Sequence, residues 1–241
     1  MSRRFYDPQP FSVGNEIDLG ESASHHIGRV LRMRVGDELT VFNGEGGEFQ
    51  AKITSISKRA VTVLPSEFDQ RDRTAALAVT IALPFIKGER MDYAIQKATE
   101  MGASAFHLVQ CARSDVRLDG DRARKKLDHL QQVAISACEQ CGMNRVPMID
   151  GITSFSEFVS TQTHALKLVG HPGEKALGYS DFSGHENVLL LTGPEGGFSD
   201  EELALAKDNH FQSFALGERV LRAETAPVAL LASIWTLIAN H

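Results

Sequence analysis

The spacing of apolar residues changes character near residue 70 of the chain. Before that point, apolar and polar residues alternate within short segments, which is the two-residue period of a β-strand. The clearest of these segments are residues 37–44, 48–57 and 60–68. Residues 43–47, Asn-Gly-Glu-Gly-Gly, predict a glycine-rich hairpin turn between the first two. We therefore predict a small β-barrel-like domain over residues 1–70, with a polar linker at residues 66–75.

From residue 76 onward, short apolar runs alternate with longer segments of helical period. The apolar runs of strand length are residues 77–83, 105–111, 165–170, 187–192 and 211–217. Helical spacing is found at residues 88–102 and 121–142, and two more helices are predicted to begin near Ser199 and Thr225. Such alternation is typical of a parallel sheet covered by helices on both faces. The predicted second domain, residues 76–241, is therefore of the α/β class.

Three glycine-rich loops follow strands of this predicted sheet, at residues 168–173, 191–198 and 216–227. In an open parallel sheet, ligands bind beyond the carboxyl ends of the strands, so these loops are the predicted pocket. The sequence contains neither the dinucleotide-binding glycine fingerprint nor the P-loop motif. Acidic residues follow the second loop, which favours a cationic or neutral ligand over a phosphate.

The second loop leads into a helix start. Ser199 is a predicted N-cap and Glu202 completes a capping box, while Phe198 and Leu203 are spaced as a hydrophobic staple. Residues 193–197, Gly-Pro-Glu-Gly-Gly, are not explained by a helix start. They are either the wall of a pocket, which glycine lets a ligand approach closely, or an elaborate tight turn.

The last helix carries apolar residues on all of its sides. Thr225 is its predicted N-cap, and Pro227 falls in the first turn, where proline is tolerated. A helix of this kind is buried on most sides. Either the sheet covers one face and a second subunit the other, or the helix is a central core helix of a monomer.

The cysteines and the composition favour a cytoplasmic protein without a metal site. Cys111, Cys138 and Cys141 are too few for a disulfide framework. The last two have the spacing of a zinc or redox motif, but they close a helical segment with Gly142 as the residue after it, so we predict inert helix cysteines. The N-terminus has no apolar signal region, and no apolar run reaches the roughly 20 residues of a membrane span.

The net charge of −6 argues against a generally basic nucleic-acid binder. The acidity is concentrated after residue 148, however, and basic groups remain at residues 29–34 and 113–126. These basic side chains either lie on a solvated face of the protein or contact the phosphates of a nucleic acid.

Four segments resemble, in order, the motifs of a known family. They are residues 96–102 (QKATEMG), 138–147 (CEQCGMNRVP), 191–202 (LTGPEGGFSDEE) and 216–226 (LGERVLRAETA). Together they are similar to the bacterial 16S ribosomal RNA uridine-N3 methyltransferases, S-adenosylmethionine-dependent enzymes of the SPOUT superfamily. The N-terminal region is similar to the PUA-like domain of that family. Where the family usually carries a basic residue after Glu-Gln-Cys-Gly, this chain has Met143.

The resemblance implies a C-terminal trefoil knot, a homodimer and an S-adenosylmethionine pocket built from the three loops. The cofactor-binding residues that it implies are Gly170, His171, Thr192, Gly193, Gly197, Leu216, Gly217, Val220 and Leu221. The implied partner is 16S ribosomal RNA within the small ribosomal subunit. The candidates for holding this RNA are Arg29, Arg32, Arg34, Arg113 and Arg145.

Methylation of uracil N3 requires removal of the N3 proton and stabilisation of negative charge on the flanking oxygens. We hypothesise that Arg222 stabilises this charge and that Glu224 accepts the proton, with Glu195 as the competing base. The structural alternative is that Glu224 only caps the last helix and Arg222 only pairs with it. Two other functions stay open: a SPOUT methyltransferase acting on another RNA nucleotide, and a non-enzymatic RNA-binding assembly factor.

Overall fold

The computed structural model describes residues 3–114, 120–172 and 175–239 of the chain. Two compact units are present. The first contains the residues up to Thr74 together with Ile135–Val146, and the second contains Ala75–Ala134 and the chain from Pro147 onward. Periodicity places residues 135–146 in the second domain, whereas their tertiary contacts lie within the first unit. Contacts of this kind leave no signal in the apolar spacing.

The first unit is built on a five-stranded curled sheet. Its strands are β1 (Arg4–Tyr6), β2 (Ile17–Asp18), β3 (Glu38–Phe42), β4 (Glu48–Ile56) and β5 (Val61–Asp69). The strand order is β1-β3-β4-β5-β2, with β1 parallel to β3 and the other pairs antiparallel. Helix α1 (Glu21–His25) and a π-helical stretch, His26–Val30, lie between β2 and β3. The three predicted strands and the hairpin turn at residues 43–47 are confirmed.

Strand β5 continues into the predicted linker as far as Asp69. The reason is a cross-strand pair, since Phe68 lies opposite Phe49 with the two ring centroids 4.7 Å apart. A Cβ atom built at Gly47 would lie 2.6 Å from the ring of Phe68, and Gly47 has a φ of +71°. The turn therefore needs glycine at this position both for its backbone conformation and for the close approach of the aromatic ring.

The end of a long helix completes the first unit. This helix, α3, spans Gly120–Cys141 and is followed by Gly142 at a φ of +92°. The Gly142 N–H donates to the Cys138 carbonyl at 3.1 Å, which confirms the predicted helix end. Cys138 and Met143 are buried against Phe42, and burial raises the pKa of the Cys138 thiol to about 12. Met143 is thus a core residue in this chain.

The buried carboxylate of Glu48 ties residues 142–146 to the sheet. It accepts hydrogen bonds from Arg4 at 2.8 Å, from Arg73 at 3.1 Å and from the amide of Asn144 at 2.9 Å. Burial alone would raise the pKa of Glu48, but the hydrogen bonds and charges of Arg4 and Arg73 outweigh it and hold the pKa below its usual value. The resulting stabilisation is complete above the ordinary pKa of a glutamate and is lost as the pH falls through the lowered one.

Replacing Asn144 by alanine is expected to lower the free energy of unfolding by about 2 kcal/mol. Asn144 is fully buried, and its amide also donates to the Gly47 carbonyl at 3.0 Å, so truncation removes this donor from the carbonyl and one of the donors from Glu48. Urea denaturation of Asn144→Ala against wild type measures the change. Gln140→Ala, at an exposed position near the end of α3, is the control and should leave the midpoint in place. An unchanged midpoint for Asn144→Ala would contradict this role.

The second unit contains a six-stranded sheet in which every pair is parallel. Its strands are β6 (Ala78–Pro84), β7 (Ala105–Gln110), β8 (Met148–Ser154), β9 (Leu166–Gly170), β10 (Asn187–Leu191) and β11 (Gln212–Phe214). Their order is β11-β9-β10-β6-β7-β8. Five of these strands are predicted from the sequence and confirmed. Strand β8 is not predicted, because it is an edge strand interrupted by Gly151 and by polar residues, which weakens its apolar pattern.

Helices cover both faces of this sheet, as predicted. Besides α3, they are α2 (Glu89–Glu100), α4 (Phe155–Thr161), α5 (Asp200–Asp208) and α6 (Ala226–Ala239), with a 3₁₀ turn at Tyr179–Asp181. Successive residues of β10 point to opposite faces: Leu190 packs in the cluster with α2, α3 and α6, and Leu191 packs in the cluster with α4 and α5. The predicted α/β class is confirmed. Among the described residues, no helix is long and apolar enough to cross a membrane.

Helix α6 is buried along one face only. Leu230, Leu231 and Ile234 lie in the core against the sheet, and Pro227 occupies the first turn as predicted. The opposite side is partly exposed and lines an apolar groove with Phe182. Within one chain, α6 is therefore buried on the side that faces the sheet and partly exposed on the other.

Candidate active site

Three loops meet at one end of the parallel sheet. Strands β11, β9 and β10 are neighbours, and each ends at this edge, so the loops that follow Phe214, Gly170 and Leu191 are brought together. The His171 N–H donates to the Phe214 carbonyl at 2.8 Å, and the Thr192 N–H donates to the Ala82 carbonyl at 2.9 Å. These bonds fix the start of two of the loops to neighbouring strands.

The loops enclose a pocket whose wall includes all nine of the predicted cofactor-binding residues. These are Gly170, His171, Thr192, Gly193, Gly197, Leu216, Gly217, Val220 and Leu221. Further lining residues, which the sequence reading did not identify, are Pro172, Pro194, Phe198, Phe214, Ala215, Arg219, Ala223, Ala226 and Leu230. Of these, Phe214 belongs to β11 and Leu230 to α6, and the apolar pattern of both elements predicts only core residues. No sequence signal separates a pocket wall from a core in such elements.

Each glycine of the loop at residues 193–197 has its own structural reason. A Cβ atom at Gly193 would lie 3.1 Å from the ring of Phe198, which packs beneath it. A Cβ atom at Gly196 would lie 3.1 Å from the Cβ of Arg113. Gly197 has open space around it but a φ of +68°, which disfavours other residues. Gly193 and Gly197 line the pocket, so this loop is both a tight turn and a pocket wall.

The helix start that follows this loop is as predicted. The Ser199 hydroxyl accepts from the Glu202 N–H at 3.2 Å, and the Glu202 carboxylate accepts from the Ser199 N–H at 2.8 Å. Phe198 and Leu203 lie in the same apolar cluster, as the predicted staple requires. The acidic first turn of α5 therefore has a complete structural explanation of its own.

Glu195 is the predicted catalytic residue that lies in the pocket wall. Its carboxylate forms an ion pair with Arg90, at the start of α2, with 3.4 Å between the nearest nitrogen and oxygen. Both side chains are partly exposed, so the pair is accessible to solvent. The pocket thus carries a carboxylate at its rim, partly compensated by one arginine.

Arg222 and Glu224 do not line the pocket, although Ala223 between them does. Arg222 is exposed, and its carbonyl accepts from the N–H groups of Thr225 and Ala226 at 2.9 and 3.1 Å. The Glu224 Oε2 atom is buried without a hydrogen-bond partner in the described part of the chain. The capping and pairing roles considered as the alternative for these two residues are therefore absent among the described contacts.

The five arginines predicted to hold RNA fall into two groups. Arg29, Arg32 and Arg34 are exposed and form no ion pair with the described residues. Arg113 donates from one guanidinium nitrogen to the Gly196 and Phe198 carbonyls, both at 3.1 Å. Arg145 pairs with Asp72 at 2.8 Å. The first three are free to meet a ligand, whereas the other two are engaged within the protein.

A parallel sheet with a glycine-lined pocket at its carboxyl edge defines an α/β protein with a binding site for a small organic ligand. Comparison with known families defines it further. Residues 73–235 match the RNA methyltransferase domain, and residues 19–66 match the RNA methyltransferase PUA domain. The chain therefore belongs to the RNA methyltransferase family. The predicted family and the predicted PUA-like nature of the first domain are confirmed.

Individual relatives resemble the chain over most of its length. Ribosomal RNA small subunit methyltransferase E of Bacillus subtilis (strain 168) is 33% identical over 219 residues, which are 87% of this chain and 86% of that protein. A structure from Legionella pneumophila with the bound cofactor SAM is 35% identical, covers 98% of each chain and superposes with a TM-score of 0.92. Ribosomal RNA small subunit methyltransferase E from Neisseria gonorrhoeae, bound to S-adenosyl methionine, is 33% identical over 98% of each chain, with a TM-score of 0.89.

Proposed function

We propose that the protein uses S-adenosylmethionine to methylate N3 of a uridine in 16S ribosomal RNA. The observation that carries this proposal is the pocket, in which residues from three separate loops converge at the carboxyl edge of the sheet. Relatives that cover almost the whole chain are named ribosomal RNA small subunit methyltransferases, and two similar structures hold the same cofactor. The choice of uridine N3 rests on the motif resemblance.

The chemistry of the pocket fits this cofactor. The pocket offers apolar surface to a flat ring system through Leu216, Val220 and Leu221. Val220 is 80% exposed, so its side chain is available to contact a ligand. Gly193 and Gly197 present backbone without side chains, which allows a ligand to approach closely. Glu195 places negative charge where a cationic ligand is favoured. When bound, the cofactor supplies a methyl group activated for transfer.

The remaining chemistry falls to side chains of this chain. Glu224 is proposed to accept the N3 proton, and its unpartnered buried oxygen is an atom with the capacity to do so. Arg222 is proposed to stabilise the negative charge on the uracil oxygens; it is exposed and forms no ion pair with the described residues. Glu195 remains the competing base, because it is the carboxylate that already lines the pocket.

The proposed enzyme is a cytoplasmic homodimer with a C-terminal trefoil knot, and its substrate lies in the small ribosomal subunit. The apolar groove along α6 supports the dimer, since the partly exposed Leu177 and Leu237 would be covered by a second copy. Light scattering of the purified protein tests this association. A monomer at all concentrations would refute the dimer without affecting the proposed pocket.

The function is tested by one measurement on the purified protein and one on ribosomal RNA from cells. Calorimetry is expected to detect S-adenosylmethionine binding to the purified wild-type protein. Nucleoside mass spectrometry of 16S ribosomal RNA is expected to find 3-methyluridine in wild-type cells and its loss in deletion cells. Cofactor binding with loss of a different methylated nucleoside would instead favour a methyltransferase acting on another nucleotide. No cofactor binding would favour a non-enzymatic RNA-binding assembly factor.

Exchanging Arg29, Arg32 and Arg34 for glutamine is expected to flatten the salt dependence of RNA binding. Each contact to a phosphate of single-stranded RNA contributes about 0.7 to the slope of log K against log salt, so the triple variant should lose about 2. Filter binding over a range of salt concentrations measures the slope. Lys207→Gln, which removes an exposed cation of α5, is the control and should leave the slope unchanged. An unaltered slope for the triple variant would exclude these arginines as phosphate contacts.

A further inference from the structure

The loop that follows β7 lies against the back of the cofactor loop. Arg113 in this loop is exposed in part, yet its guanidinium donates to the carbonyls of Gly196 and Phe198, each at 3.1 Å. These two carbonyls lie on either side of Gly197, which lines the pocket. A single cationic group therefore holds both ends of the segment that forms this part of the pocket wall.

A buried carboxylate makes a second connection between the same two loops. Glu202 accepts from the Ala112 N–H at 2.7 Å and from the Ser199 N–H at 2.8 Å, one bond at each carboxylate oxygen. The bond to Ser199 belongs to the capping box. The bond to Ala112 reaches the residue next to Arg113, so Glu202 fastens the β7 loop to the start of α5.

The close fit at Gly196 indicates that this arrangement is built into the turn. Gly196 is not part of the pocket wall, and the Cβ of Arg113 occupies the place next to its missing side chain. Its neighbours Gly193 and Gly197 do face the pocket. Glycine at position 196 thus serves the contact to Arg113, while the other two shape the ligand side of the same turn.

We propose that Arg113 and Glu202 are positioning residues, which set the shape of the cofactor pocket by holding residues 196–199 from behind. This inference rests on the proposed function for the identity of the ligand. It replaces RNA binding as the role of Arg113, because the guanidinium that would contact a phosphate is already bonded to two carbonyls. Charge-assisted bonds of this type are among the stronger contacts in a protein, so their loss should loosen the turn measurably.

Hydrogen exchange of the protein without any ligand tests the proposal directly. The Gly197 N–H donates to the Pro194 carbonyl at 2.9 Å inside the turn, so its exchange reports whether the turn is held. Arg113→Ala is expected to speed exchange in residues 193–199 about 10-fold and to raise the Kd for S-adenosylmethionine by a similar factor. Arg122→Ala, which removes an exposed arginine of α3, is the control and should change neither.

Two further variants separate positioning from a general structural effect. Gly196→Ala places a Cβ atom 3.1 Å from the Cβ of Arg113, so one of the two residues must shift, and cofactor binding should weaken as in Arg113→Ala. The double variant of Gly196→Ala with Arg113→Ala should bind S-adenosylmethionine no more weakly than the weaker-binding single variant, because both substitutions disturb the same contact. Glu202→Gln replaces one acceptor by a donor facing an N–H group, so it should also speed exchange in the turn. The slope of log K for RNA binding against log salt should be the same in these variants as in wild type.

The outcomes distinguish this proposal from the proposed function. If wild type fails to bind S-adenosylmethionine, the proposed function is wrong, and the exchange data on the unliganded protein still decide whether Arg113 holds the turn. Unchanged exchange in residues 193–199 of Arg113→Ala would overturn the positioning role. A loss of salt-dependent RNA affinity in that variant, with normal cofactor binding, would return Arg113 to the RNA-binding set.

Discussion

Replacing Gly193 by valine is expected to weaken S-adenosylmethionine binding at least about 100-fold, measured by calorimetry. A Cβ atom at this position would lie 3.1 Å from the buried ring of Phe198, and valine adds two further methyl groups. Overpacking of this kind costs about 1–3 kcal/mol, which is about one to two factors of ten in affinity when it falls on the binding-competent conformation. The new side chain also competes with the ligand, because Gly193 lines the pocket.

The control for this variant is Gly151→Val. Gly151 lies in the edge strand β8, is not part of the pocket, and has no atom within 4 Å of an added Cβ. Its affinity for the cofactor should equal that of wild type. Thermal denaturation of both variants shows whether the second unit remains folded. A Gly193→Val protein that is folded and binds within twofold of wild type would mean that the ligand lies elsewhere.

Glu224→Gln is expected to lower kcat by about 10²- to 10⁴-fold, the usual contribution of a general base. Because Glu224 does not line the pocket, the Kd for the cofactor should stay within twofold of wild type. Arg222→Ala should likewise lower kcat, by about 10²-fold or more, since it removes a group proposed to stabilise the developing charge. Single-turnover methyl transfer to small-subunit RNA measures both rates.

Glu218→Gln provides the matched control for Glu224→Gln, since it neutralises an exposed carboxylate of the same loop. Its rate should be that of wild type. Glu195→Gln distinguishes the two candidate bases. A large loss of kcat in this variant alone would show that Glu195 accepts the N3 proton. If both glutamine variants keep full rates, neither carboxylate is the base, and the proposed chemistry is wrong.

The sequence predicted those features that depend on neighbours close in the chain. The capping box of Ser199 and Glu202 and the positive φ of Gly142 follow from local chemistry, and both are found where expected. Strands β3, β4 and β5 of the first sheet and the five strands of the second sheet other than β8 follow equally from the apolar period. Strand β8 carries only part of that signal, because an edge strand that pairs with β7 alone needs fewer buried residues.

The roles of single charged residues were harder to predict, because they depend on partners far away in sequence. Arg113 bonds to Gly196 and Phe198, more than 80 residues later, and nothing in its own neighbourhood separates it from an RNA-binding arginine. Arg145 likewise pairs with Asp72. The nine cofactor-binding candidates follow from motif resemblance, and the pocket brings all of them together because their loops follow adjacent strands.

The strand order of the second unit also determines how long one edge of β6 lacks its partner during synthesis. Strand β6 pairs with β10, Ala78 lying opposite Asn187, so one edge of β6 has no partner until more than 100 further residues have been made. At the usual elongation rates this interval lasts on the order of 5 to 20 s. Contacts so distant in sequence slow folding and leave an apolar strand edge open to other nascent chains. Strand β6 is therefore the part of the second sheet that waits longest for one of its native neighbours.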